Sequence, residues 1–253
     1  MQRWPNVLWV VRHGQSSGNV ARDAADLGGH AEIQIDTRDV DVPLSELGIE
    51  QSRALAHWFL AMAPADRPDT VLSSPYLRAV QTANLLKAEG ALAAGFSKFC
   101  IDERLREKEF GILDRLTRMG IEQRHADQAS FRRLLGKFYH RPPGGESWCD
   151  VILRLRSLMD TISLHYGEKR VLIVAHQVVV LCLRYLLENL GEKEILAIDT
   201  KGDVANCGVT EYRYQAEPEG SGGLKLVRYN FVAPLQREGT PVTSAPDPAR
   251  AAS

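Results

Sequence analysis

No apolar run in this chain approaches the roughly 18 residues needed to span a bilayer. Its first apolar stretch, Val7–Val11, is too short for a secretory leader and has no small-residue cleavage site behind it. Neither membrane insertion nor export is expected. Cysteine is scarce, with four residues at 100, 149, 182 and 207, no Cys-x-x-Cys and no pair at metal-ligand spacing. That excludes a disulfide scaffold and a zinc cluster, and it points to a reducing, cytoplasmic compartment. Charge of one sign is also missing: 31 Lys and Arg face 32 Asp and Glu, for a net charge of -1. The basic footprint of a non-specific nucleic-acid binder is therefore absent. No internal repeat is evident.

What is present is an ordinary globular composition, 44% hydrophobic and 25% charged over 253 residues, enough to bury a substantial core. Two runs stand out, Val7-Leu8-Trp9-Val10-Val11 and Val171-Leu172-Ile173-Val174-Ala175. Short, Val-rich and unbroken, they read as strands buried on both faces. Further strands are expected at 69–73 and 98–101, and an antiparallel edge hairpin at 209–215 and 224–232, joined by 217–223. Helices are expected from the Ser45 cap to Met62, from Pro75 in a first turn to Glu89, over Glu146–Tyr166 and Val178–Leu190, and more briefly at 192–198. Arg-rich helical fragments lie at 115–125 and 129–138. Pro142-Pro143-Gly144-Gly145 is a break. The polar stretch 14–44 reads as a long loop, with a short helix inside it left open. Strands alternating with helices imply an α/β fold: a doubly wound, mostly parallel central sheet with helices on both faces. One domain is expected over 1–232, followed by a disordered tail over 233–253, rich in Pro, Thr, Ser and Ala.

Both buried runs end in histidine, at Arg12-His13 and Ala175-His176. If both strands are central and parallel, the two imidazoles emerge at one sheet edge, where α/β proteins place their ligands. The strand at 69–73 leads to Ser73-Ser74-Pro75-Tyr76-Leu77-Arg78 and brings Arg78 to the same edge. The loop after the next strand carries Glu103, Glu107 and Glu109. A neutral imidazole is a competent covalent nucleophile. Arginine forks match phosphate oxygens and stay charged. A carboxylic acid supplies the proton that a leaving alkoxide needs. The set suits phosphoryl transfer through a phosphohistidine.

At these residues the sequence resembles the histidine phosphatase superfamily, also called phosphoglycerate mutase-like. The resemblance is carried in order by Arg12-His13-Gly14, Asn19, Pro43-Leu44-Ser45-x-x-Gly48-x-x-Gln51, Ser73-Ser74-Pro75 with Arg78, Ala79 and Thr82, Leu105-Arg106-Glu107, Gly144-Gly145-Glu146-Ser147 and Val174-Ala175-His176. It spans residues 7–213. It implies that His13 is phosphorylated, that Arg12, Arg78 and His176 complete the phosphate pocket, and that Glu107 is the proton donor. Asn19 and the backbone N–H of Gln177 would add phosphate contacts. No metal or organic cofactor is implied. The segment from Lys137 to Gln177 looks most like a fructose-2,6-bisphosphatase domain, in which Arg133 and Lys137 would hold a second phosphate; with Arg118 they hint at a second anionic group on the substrate. Leu181 and Arg118 depart from that domain's pattern, where it has an Arg and a Tyr, so its substrate is not assigned. The short connection between Glu107 and Gly144 favours a phosphatase of small phosphorylated metabolites, of sugar phosphate or phosphoglycerate type, over a cofactor-dependent mutase. A phosphoprotein substrate and the oligomeric state are left open.

Two rival readings accompany this one. Gly14-Gln15-Ser16-Ser17-Gly18 fits the Gly-x-Ser-x-Gly elbow of serine hydrolases, but that elbow turns straight from strand to helix, and loop is expected here. A non-catalytic phosphate binder would be signalled by loss of Arg12, His13, Arg78, Glu107 or His176, and all five are present. Glu146 and Ser147 read as the start of a helix.

Overall fold

The computed structural model describes residues 2–96, 98–216 and 222–244. Strands β1 (Val7–Arg12), β2 (Thr70–Ser73), β3 (Lys98–Ile101), β4 (Arg170–Ala175), β5 (Val209–Gln215) and β6 (Gly223–Phe231) form one sheet in the order β3-β2-β4-β1-β5-β6. The first four in that order are parallel, and β5 and β6 run antiparallel at one edge. The expected hairpin is there; its turn at 217–221 lies outside the described residues.

Strand alternation sorts the buried side chains onto two faces. Leu8, Val10, Leu72, Val171 and Ile173 join one core cluster with α6 (Trp148–His165) and α7 (Gln177–Leu187). Trp9, Val11, Val71, Leu172 and Val174 join the other with α2 (Glu46–Leu60) and α3 (Leu77–Ala88). β1 and β4 are covered on both sides, which is why their sequences show no alternation. The doubly wound architecture expected from the strand–helix pattern is the one observed. Among the described residues no helix is long and apolar enough to cross a membrane.

One open point is decided and three local expectations change. The stretch 14–44 contains helix α1 (Ser17–Leu27), capped by Ser16, which accepts from the Asn19 N–H, while the Asn19 side chain accepts from the Ser16 N–H. α3 begins at Leu77, so Pro75 precedes it. Tyr76 is extended there, and the chain must turn before the helix starts. α6 begins at Trp148 with Ser147 as its cap, which leaves Glu146 outside the helix. The tail is ordered through residue 244: α9 (Ala233–Arg237) buries Leu235 in the second core cluster. Beyond it Thr243 and Pro241 accept from the Gln51 amide, and Thr243 bonds Asn206. The remainder, 245–253, lies outside the described residues. Helices α4 (Arg118–Arg124), α5 (Ala126–Tyr139) and α8 (Glu192–Lys201) complete the chain.

Candidate active site

The register of the central strands builds the site. Arg12 lies opposite Ala175, so the next residues, His13 and His176, leave the sheet side by side. Their ring centroids are 5.1 Å apart. Ser73 lies opposite Val174, which sets Ser74 beside the same point. His13 is 3% exposed and His176 is fully buried. Burial, then the charges of Arg78 and Arg12, holds His13 well below the ordinary histidine range; burial and Arg78 do the same to His176. Both rings are therefore neutral at physiological pH. Nδ1 of His13 lies 2.7 Å from the Gly14 carbonyl, an acceptor, so Nδ1 carries the proton and Nε2 keeps its lone pair. Arg78 Nε donates to that Nε2 at 3.3 Å.

Close backbone approach holds the loop after β1 in place. A Cβ on Gly48 would stand 1.9 Å from the Gln15 carbonyl oxygen, and one on Gly14 would stand 2.4 Å from the Gly48 carbonyl oxygen. Only glycine allows this crossing of two backbones. The Gly14 N–H donates to Thr82, the Gln15 N–H to Gln51, and the Asn206 amide to the His13 carbonyl.

Arg12, Arg78, Asn19, Gln177 and Glu107 all line one cavity with His13. Arg12 donates to the Gln177 side chain at 3.1 Å and to the Val204 carbonyl at 2.5 Å. Burial pushes its pKa down to about 10, which still leaves it charged. Gln177 is the first residue of α7, so its backbone N–H belongs to an unsatisfied helix start. Its side chain bridges Arg12 and Asp203. Arg78 is held from the other side by Asp39, on the 3-10 turn Asp39–Asp41. Its NH1 donates to the Asp39 carbonyl at 2.6 Å and its NH2 to the carboxylate at 3.2 Å.

Glu107 reaches the cavity from a loop tied down by Glu146. The Glu146 carboxylate accepts from Arg106, from Arg154 and from the Glu109 N–H, and Arg154 also donates to the Arg104 and Glu107 carbonyls. Hydrogen bonds from Arg154, its charge and other donors hold Glu146 below the usual carboxylate range against the cost of burial. Glu146 therefore works as the anchor of the loop bearing Glu107.

Two expected substrate ligands lie elsewhere. Lys137 is paired with Asp199, its Nζ 2.8 Å from the carboxylate and 5.3 Å from the Trp148 ring centre. Arg133 is exposed on α5 and donates to Ser130. Neither lines the cavity, and Arg118, on α4, is paired with Glu122. A helix follows Ser16 after all, so the elbow is not excluded by a loop there. It is disfavoured because Ser16 Oγ is engaged as the cap of that helix. The residues that sequence reasoning missed are Arg22, Asp39, Asp114 and Arg115, which line the outer cavity. Arg22 follows Asn19 by one helical turn, and that spacing was the available signal.

Buried neutral imidazoles flanked by guanidinium groups, with a carboxyl at the rim, make a pocket suited to a phosphoryl group. The model of the histidine phosphatase superfamily (branch 1) matches residues 8–230, and the chain belongs to that family. It is 33% identical over 180 residues to the 6-phosphofructo-2-kinase/fructose-2,6-bisphosphatase of Caenorhabditis elegans, covering 71% of this chain and 33% of the relative. To the fructose-2,6-bisphosphatase of Saccharomyces cerevisiae it is 28% identical over 190 residues, covering 75% and 36%. The chain thus spans about a third of the length of these two relatives. A solved mycobacterial glucosyl-3-phosphoglycerate phosphatase, Rv2419c with VO3, superposes with a TM-score of 0.63 at 26% identity, over 89% of this chain and 99% of that one.

Proposed function

We propose that the chain is a phosphomonoesterase that hydrolyses small phosphorylated metabolites through phospho-His13. The observation that carries this is the pairing of a neutral His13 Nε2 with Arg78 at 3.3 Å, beside the ring of His176. Nε2 attacks phosphorus, the ester P–O bond breaks, and the leaving alkoxide takes the Glu107 proton. Glu107, now a carboxylate, takes a proton from water. The water oxygen attacks phosphorus, the N–P bond breaks, and inorganic phosphate leaves. Arg12 and Arg78 neutralise the equatorial oxygens throughout and the neutral His176 donates a hydrogen bond to them, which is where most of the catalysis resides. Asn19 and the Gln177 N–H add phosphate contacts.

The four free cysteines fit a reducing, cytoplasmic setting. The test is hydrolysis of p-nitrophenyl phosphate together with trapping of an acid-labile phosphoenzyme. His13→Ala should lose both. A phosphate panel with and without 2,3-bisphosphoglycerate separates hydrolysis from mutase chemistry. Turnover in His13→Ala at the parental rate would refute the proposal.

A further inference from the structure

Beyond the phosphate pocket the cavity continues toward solvent, and its outer wall has its own chemistry. Ile33, Ile35 and Phe110 line it together with Thr37, and Asp39 and Asp114 stand among them. This wall is fastened in place. Arg115 donates to the Ile35 and Thr37 carbonyls at 3.0 and 2.8 Å, the Ile33 N–H donates to the Arg115 carbonyl, and Glu32 bridges to Leu116. The fork of Arg115 is therefore turned onto the backbone, and its Nε lies 3.8 Å from Asp114.

The charges of the lining balance around one phosphate. Four guanidinium groups, Arg12, Arg22, Arg78 and Arg115, face three carboxyls, Asp39, Glu107 and Asp114. With one proton shared between Glu107 and the ester, a single phosphate brings that sum to zero. A second anion would leave it negative in a partly enclosed space, where like charges are costly. The outer wall already shows that strain: burial, and then the charge of Asp39, raises the Asp114 carboxyl above its ordinary range. Asp39 also offsets Arg78. The basic residues expected to receive a second anion, Arg133 and Lys137, are outside the cavity.

We infer that this outer wall selects monophosphate esters of uncharged, hydroxyl-bearing alcohols and turns away bisphosphates and phosphorylated carboxylic acids. Asp39, Asp114 and Thr37 accept hydrogen bonds from the hydroxyls of the leaving group, and Ile33, Ile35 and Phe110 take its apolar face. A charged carboxylate at the same place meets two carboxylates, with the fork of Arg115 turned onto the backbone and the charge of Arg22 already acting on Asp114. Specificity then comes from a repulsive element as much as from an attractive one. This inference rests on the phosphomonoesterase reading and sharpens its substrate class.

Glycerol 3-phosphate and 3-phosphoglycerate test it, since they differ only in a hydroxymethyl group against a carboxylate. Each is titrated as a competitor of p-nitrophenyl phosphate hydrolysis, which yields an inhibition constant even where its own turnover is slow. The glycerol ester should bind at least about tenfold more tightly, and Asp39→Asn/Asp114→Asn should narrow the ratio to about threefold or less. Asp114→Asn alone, at a more exposed position, should narrow it in part should the double variant fail to fold. Equal or tighter binding of 3-phosphoglycerate by the parent protein overturns the inference, and so does a ratio that neither variant moves. Absence of both p-nitrophenyl phosphate turnover and a phosphoenzyme removes the phosphatase reading instead. The two affinities are then read by calorimetry on the intact chain, and no heat from the glycerol ester overturns the inference as well.

Discussion

The hydroxyl of Ser74 lies 2.7 Å from Nε2 of His176, on the side of the ring away from its unpartnered Nδ1. Ser74 Oγ accepts from the Tyr76 N–H at 3.3 Å, so its own hydrogen is available to donate to Nε2. With Ser74 donating, Nε2 is the acceptor and the buried Nδ1 of His176 carries the proton. Ser74→Ala should release the tautomer and lower kcat/KM on the order of tenfold, with Ser74→Thr restoring most of it. The proton position on His176, read by nitrogen NMR, should shift in the alanine variant only. An unchanged rate with an unchanged tautomer would remove Ser74 from this role.

Glu107 is held at the cavity by the Arg154–Glu146 anchor. Glu107→Gln keeps the shape and removes the transferable proton. Hydrolysis of an alkyl phosphate should fall about a hundredfold or more, and that of p-nitrophenyl phosphate far less, because a good leaving group needs little protonation. Equal slowing of both substrates would assign proton donation to another group.

Lys137 was expected to bind substrate and instead neutralises Asp199, whose side chain is 5% exposed. Lys137→Met should cost about 3 kcal/mol of stability, because it removes the ammonium partner of a buried carboxylate. Affinity for phosphate esters should not change. Denaturant unfolding and inhibition constants measured side by side check both halves, and a large rise in KM with unchanged stability would restore the substrate role.

The parts of the site carried by strand ends were legible because an unbroken apolar run announces a central strand, and His13, His176 and Arg12 sit directly at the ends of two such runs. The register then does the rest. Lys137 and Arg133 were misplaced because a basic residue on a helix carries no local sign of the direction it faces. Asp39 gave no signal, since its partner Arg78 is distant in the chain and the turn that presents it is irregular. Helix α1 was left open because its apolar stripe is weak: Ala25 is its one buried residue. The tail misled through composition, which hid the buried Pro234 and Leu235 and the Gln51 amide that reaches out to Pro241 and Thr243.

The burial of two neutral imidazoles makes stability depend on pH in a definite direction. Unfolded, His13 and His176 titrate near the ordinary 6.5; folded, both titrate well below it. Below about 6.5 the unfolded chain therefore binds more protons than the folded one, and stability falls as pH falls; above that value these groups add no slope. Between about pH 7.5 and pH 5.5 the denaturant midpoint should drop, with a limiting slope of about 1.4 kcal/mol per pH unit for each histidine. Paired carboxylates such as Asp102 and Glu146, held below their ordinary ranges, lose their contribution only at more acidic pH. His13→Asn/His176→Asn should accordingly reduce the slope in the upper window, leaving the share of His140, which burial also holds below the ordinary range, and the acid limb in place. Parallel profiles for the parent and the double variant from pH 7.5 to 5.5 would mean that the two rings are not held neutral by the fold.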